Sequence, residues 1–123
     1  MQYYAGLPEG LLTGVSPETW LLDWERMSRP GNLDMQFEMN CTYKTNIEMF
    51  PVFQDYFRTY LPPALIMWGK YDAFFSVDEA HCYKKDLPGA QVYVIDGGHK
   101  LLETNFDEVL MLIDNFLTAR ESR

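Results

Sequence analysis

The sequence predicts an α/β fold, and three observations carry that prediction. Two short apolar runs, Ala64-Leu65-Ile66-Met67-Trp68 and Gln91-Val92-Tyr93-Val94-Ile95, have the length and β-branched or aromatic content of strands. Between them lies a helix signature, Ser76-Val77-Asp78-Glu79, and after them a long apolar pattern at helical spacing. The order strand, helix, strand, helix implies parallel pairing with a right-handed crossover.

The elements follow in chain order. Ser16-Pro17-Glu18 reads as a helix cap, a proline at the first helical position and an acid facing the positive helix end. Trp20, Leu21, Trp24 and Met27 form the apolar stripe of the helix it opens, and Arg29-Pro30-Gly31-Asn32 stops it. A second helical pattern runs from about Leu33 with Phe37, Met39 and Cys41 as apolar positions. Pro51 is expected to open a third helix that buries Phe53, Tyr56 and Phe57 and ends before Pro62-Pro63.

Past the prolines the texture changes. The run at 64–68, bounded by Pro63 and Gly69, suits a strand covered on both faces. Ser76 with Glu79 forms a capping box, and Lys84-Lys85 suit the negative end of the helix. Leu87-Pro88-Gly89-Ala90 turns the chain into the second strand, at 91–95. Thr104 with Asp107 is expected to start the last helix, on which Phe106, Val109, Leu110, Ile113, Phe116 and Leu117 keep helical spacing. The organisation is therefore a helical segment over 1–60 and a βαβα unit over 61–123.

Composition narrows the function classes. Hydrophobic residues make up 47% and aromatics 15%, which is globular rather than disordered. Eighteen acids against ten bases give a net charge of −8, and the basic residues form no cluster beyond Lys84-Lys85. A nucleic-acid surface and an anionic membrane are poor partners for such a chain. No apolar run approaches the roughly 20 residues of a membrane span. Met1-Gln2-Tyr3-Tyr4 lacks the basic and apolar regions of a secretory signal. Cys41 and Cys82 have no CxxC or HxxxH companion, which reads as reduced thiols in a cytoplasmic protein with no metal site.

Two polar residues stand past the C-terminal strand ends, where parallel sheets place their sites. Asp72 follows the first strand through Gly69-Lys70-Tyr71, and His99 follows the second through Asp96-Gly97-Gly98. Neighbouring strands lie about 4.8 Å apart, so loops from adjacent ends can bring a carboxylate and an imidazole together. Such a carboxylate fixes the imidazole tautomer and stabilises the imidazolium formed on proton transfer. The plainer alternative is a surface loop in which the two never meet.

Trp68-Gly69-Lys70-Tyr71-Asp72-Ala73-Phe74-Phe75 resembles the acid-bearing segment of α/β-hydrolases. Leu87-Pro88-Gly89-Ala90 through Asp96-Gly97-Gly98-His99, then Glu103, resembles their histidine segment. Trp20 to Asn32 and Tyr43-Lys44-Thr45-Asn46 resemble the end of the helical cap in the epoxide-hydrolase and haloalkane-dehalogenase branch. The resemblance implies a terminal βαβα unit of a hydrolase sheet preceded by cap helices, with Asp72 as triad acid and His99 as general base. It implies ester, epoxide or carbon–halogen hydrolysis through a covalent intermediate, with no metal and no organic cofactor. Two positions depart from the pattern: Ala73 where proline is frequent, and Lys100 where an aromatic or apolar residue is frequent.

The family order is nucleophile, acid, histidine, which places the nucleophile upstream on a strand-to-helix elbow. Gly14-Val15-Ser16-Pro17-Glu18 lacks the second glycine of an elbow and is better explained as a helix cap. The chain therefore reads as the C-terminal half of such an enzyme, beginning inside the cap and inactive alone. Tyr43, Asn46 and Phe50 share a helix face, and the branch uses cap tyrosines to protonate an opening epoxide, which makes Tyr43 a candidate substrate contact. Phe74 and Phe75 are candidates for the pocket entrance. Expected partners are a small-molecule substrate and either the N-terminal half or a second copy. The rival expectation is a truncated, non-catalytic interaction protein.

Overall fold

Proline and glycine punctuate the region that carries the sheet. In the computed structural model, which describes residues 2–121, strand β1 spans Leu65–Gly69 and strand β2 spans Gln91–Ile95. They pair in parallel, from Leu65 opposite Gln91 to Gly69 opposite Ile95. Ala64 lies just outside β1 but accepts the N–H of Gln91 at 2.9 Å, so the ladder begins at the residue after the double proline. The connection is helix α5, Val77–Asp86, which packs on both strands. Ser76 caps it: its Oγ accepts the Asp78 N–H at 3.3 Å, and its carbonyl accepts that of Glu79 at 3.0 Å. A fold of helices followed by parallel strands alternating with helices is thus the α/β class expected.

The chain divides into two units, one of Met1–Val15 with Pro62–Arg123 and one of Ser16–Leu61. The opening residues, with the short helix α1 (Glu9–Leu12), thereby belong with the strands. The first unit has a thin core of Val15, Ala80, Leu87, Ala90, Ile95 and Val109. Ile95 is its largest fully buried side chain. Val109 comes from helix α7, Phe106–Glu121, which packs against β1.

Two sequence expectations are corrected in these boundaries. Thr104 does not start the last helix: it closes a separate short helix, α6, Leu101–Thr104. Asn105, at φ −130° and ψ 34°, breaks the chain there and α7 begins at Phe106. Nor does Pro51 open a helix.

In the second unit, helix α2 spans Pro17–Met27, α3 Asn32–Thr42 and α4 Lys44–Tyr60. Pro51 lies inside α4. A proline forfeits only its own N–H bond to the carbonyl four residues back, here that of Ile47, and regular turns on either side carry the helix through. The helix ends at Leu61, in the left-handed region at φ 44°, whose N–H donates to the Phe57 carbonyl at 2.9 Å. The expected burial of Phe53 and Tyr56 also fails, since both rings are half open. Within this unit α2 packs on α3 and α3 on α4, a sequential arrangement in which no helical residue is buried. Among the described residues no helix is long and apolar enough to cross a membrane.

Candidate active site

Parallel pairing brings the loops after β1 and β2 to the same end of the sheet, and backbone bonds tie them together there. Lys70 N–H donates to the Ile95 carbonyl at 2.8 Å and Tyr71 N–H to the Gly97 carbonyl at 2.9 Å. The ladder therefore continues past both strands and delivers Asp72 and His99 to one place. His99 Nδ1 lies 3.0 Å from Asp72 Oδ2, within hydrogen-bond distance.

The other carboxylate oxygen is also used. Asp72 Oδ1 accepts the N–H groups of Phe74 at 2.8 Å and Phe75 at 3.1 Å, an Asx-type turn that locks the side chain. The Asp72 side chain keeps 7% of its exposure and that of His99 keeps 18%. Burial is the largest single influence on Asp72 and pushes its carboxyl up. The hydrogen bonds from His99, Phe74 and Phe75, with the attraction of His99, together outweigh it and hold the carboxyl below its ordinary range.

An ionised carboxylate only accepts hydrogen bonds. With Asp72 ionised, the proton of a neutral His99 sits on Nδ1, and Nε2 is left with its lone pair free to take a proton. The imidazole is flanked by two rings, Phe74 with centroids 5.1 Å apart and Phe75 at 5.5 Å. Phe75 is steadied in turn by Trp68, edge to face at 6.4 Å, whose Nε1 donates to its carbonyl at 3.4 Å. Phe74 and Phe75 remain 46% and 48% exposed, so they offer an apolar rim beside the imidazole.

The histidine loop is held by its glycines. A Cβ on Gly97 would lie 2.4 Å from Asn105 Oδ1 and 2.6 Å from Leu101 Cδ2. Asn105 Nδ2 donates to the Asp96 carbonyl at 3.4 Å, and its Oδ1 accepts Thr104 Oγ1 at 2.6 Å. At the rim, Lys70 Nζ pairs with Asp96 Oδ1 at 3.0 Å, which holds the lysine above its ordinary range; both groups are solvated, so this tie contributes little to stability.

The other sequence candidates lie elsewhere or have plainer roles. Tyr43 belongs to Ser16–Leu61, where it precedes α4 with its ring 53% exposed. Ser16 caps α2, and its Oγ donates to the Glu18 carboxylate. Sequence reasoning missed Asn105 and the grip of the Phe74 and Phe75 amides on Asp72. An aspartate two and three residues ahead of two amides is the local signal for the second; Asn105 signals only a helix boundary.

No protein-family model matches the chain, and no solved structure matches it. The chain is similar to an uncharacterized hydrolase of Saccharomyces cerevisiae, 36% identical over 104 residues, an alignment that takes in 85% of this chain and 35% of that protein. It is thus a distant homologue of part of a hydrolase, spanning about a third of that relative's length.

Proposed function

We propose that this chain carries the acid and base of a hydrolase active centre of the α/β-hydrolase kind. The observation that supports it is the 3.0 Å contact between His99 Nδ1 and Asp72 Oδ2 past adjacent parallel strands. Similarity to a hydrolase over residues that include most of this chain supports it further. In this reading Asp72 orients the ring and stabilises the imidazolium, and His99 Nε2 takes a proton. The proton comes from a serine nucleophile in ester hydrolysis. With a carboxylate nucleophile on an epoxide or haloalkane, it comes from the water that resolves the covalent ester. No metal or organic cofactor is needed for either course. Phe74 lines the apolar side of the substrate site, and the helices of Ser16–Leu61, which carry Tyr43, are cap helices.

The test is a chimera in which this chain replaces the matching third of the yeast hydrolase, assayed on aryl esters, epoxides and haloalkanes. The chimera is expected to turn over what the parent does, and His99→Ala to lower the rate by about a hundredfold or more. Unchanged turnover in His99→Ala sinks the proposal. The isolated chain is expected to show no turnover above background, and turnover abolished by Ser16→Ala would reassign the nucleophile.

A second reading, a non-catalytic interaction protein, is favoured by the apolar side chains that α2, α3 and α4 leave open, Trp24 at 67% and Phe37 at 70% among them. An inactive chimera, with a chain that assembles stably with another polypeptide, would select it.

A further inference from the structure

Residues 3–7 form a turn, closed by the Leu7 N–H to the Tyr4 carbonyl at 3.2 Å, that lies against the immediate neighbours of both Asp72 and His99. Gly6 sits over the acid loop. A Cβ there would lie 2.2 Å from the Tyr71 carbonyl oxygen and 3.3 Å from Ala73 Cβ, the residues on either side of Asp72. Its φ of +83° belongs to the left-handed region that glycine adopts without strain.

The next contacts fall on the histidine loop in the same way. Leu7 packs on Gly98, where a Cβ would meet Leu7 Cδ2 at 2.9 Å. Lys100 Nζ lies 5.7 Å from the centre of the Tyr3 ring, within cation–π range. Residues 98 and 100 flank His99 as 71 and 73 flank Asp72. One short turn therefore touches both sides of both residues.

We infer that this turn is a strap that positions the Asp72–His99 pair, with Gly6 and Leu7 as the positioning residues. The inference rests on the proposal that the pair acts as acid and base. The loops after β1 and β2 are already joined by the Lys70 and Tyr71 amides, but those bonds fix the backbone upstream of Asp72. The strap acts on the residues that carry the two side chains, so its loss lets the loops part by the few tenths of an ångström over which a charge-assisted hydrogen bond weakens. Gly6 is suited to the close approach because any side chain would meet a backbone carbonyl, which cannot swing aside.

The experiment is NMR on the full chain, whose two histidines, His81 and His99, give a built-in comparison. The wild type is expected to show a slowly exchanging Nδ1–H resonance for His99, and protected amides at Phe74 and Phe75. Asp72→Asn removes that resonance. Gly6→Ala and Leu7→Ala are each expected to lose it as well, and to speed amide exchange at Phe74 and Phe75 by roughly tenfold, the size of change that follows loss of one charge-assisted hydrogen bond. His81 signals and helix content should stay unchanged, and Leu7→Met should restore the wild-type spectrum. A His99 resonance and amide protection that survive in both Gly6→Ala and Leu7→Ala overturn the strap while leaving the pair intact. A resonance missing from the wild type, or indifferent to Asp72→Asn, overturns the pair itself and the strap with it.

Discussion

Gly69 at the end of β1 lies directly against the backbone of Gly98. A Cβ built on Gly69 would stand 2.2 Å from the Gly98 carbonyl oxygen, 2.7 Å from its carbonyl carbon and 2.8 Å from the Gly97 oxygen. All three are backbone atoms, so no rotamer change can make room. Gly69→Ala is therefore expected to push the histidine loop off the strand and cost about 1–3 kcal/mol of stability. Urea unfolding followed by circular dichroism measures it, and a loss below the error of extrapolation would mean the two loops have more freedom than this packing allows.

Asp72 should make stability depend on pH in a stated direction. Its carboxyl is held below the ordinary 3.8 in the folded chain, so its ionised form adds stability that is fully present above that value. The contribution is lost as pH falls through the lowered folded value. Asp72→Asn removes a charged acceptor of three hydrogen bonds, which costs about 1.5–3 kcal/mol near neutrality. The gap between wild type and variant should then shrink in acid. A gap that stays constant from neutrality to below 3.8 would show that the charge of Asp72 does not enter folding.

The helices of Ser16–Leu61 present Trp20, Leu22, Trp24, Phe37 and Phe53 to solvent. Contiguous apolar surface beyond a few hundred Å² usually marks an interface, and β1 and β2 form a sheet of two strands whose edges invite pairing. The purified chain is expected to self-associate as its concentration rises. The net charge of −8 opposes association between copies, so added salt should strengthen it by screening that repulsion. Size-exclusion chromatography across concentration and salt, with thermal melting, is the measurement. A monomer with one cooperative transition above about 60 °C, at the upper end for ordinary domains, would show that these surfaces are satisfied within one chain.

The βαβ unit could be read from sequence because its signals are local and agree. Pro63 and Gly69 bracket an apolar run, Ser76 supplies a cap, and Leu87-Pro88-Gly89 turns the chain into β2. The placement of Asp72 and His99 past the strand ends followed from the same reading, since a parallel sheet exposes its carboxyl ends together. Pro51 misled because proline at a helix start and proline inside a helix differ only in what surrounds them. Thr104 misled because Asn105, which breaks the chain after it, is held by the carbonyl of Asp96, nine residues away.

The two strands, the longer helices and the two positions past the strand ends are legible as properties of neighbours along the chain, whereas the short helices α1 and α6 are not. Tertiary structure alone decided that Asp72 Oδ2 and His99 Nδ1 stand 3.0 Å apart, that the Phe74 and Phe75 amides grip the other oxygen, and that residues 3–7 lie across both loops. A hydrogen bond forms or fails within a few tenths of an ångström. Tolerances that fine, between residues 27 apart in the chain, are set by how glycine backbones pack, which no pattern of residue types records.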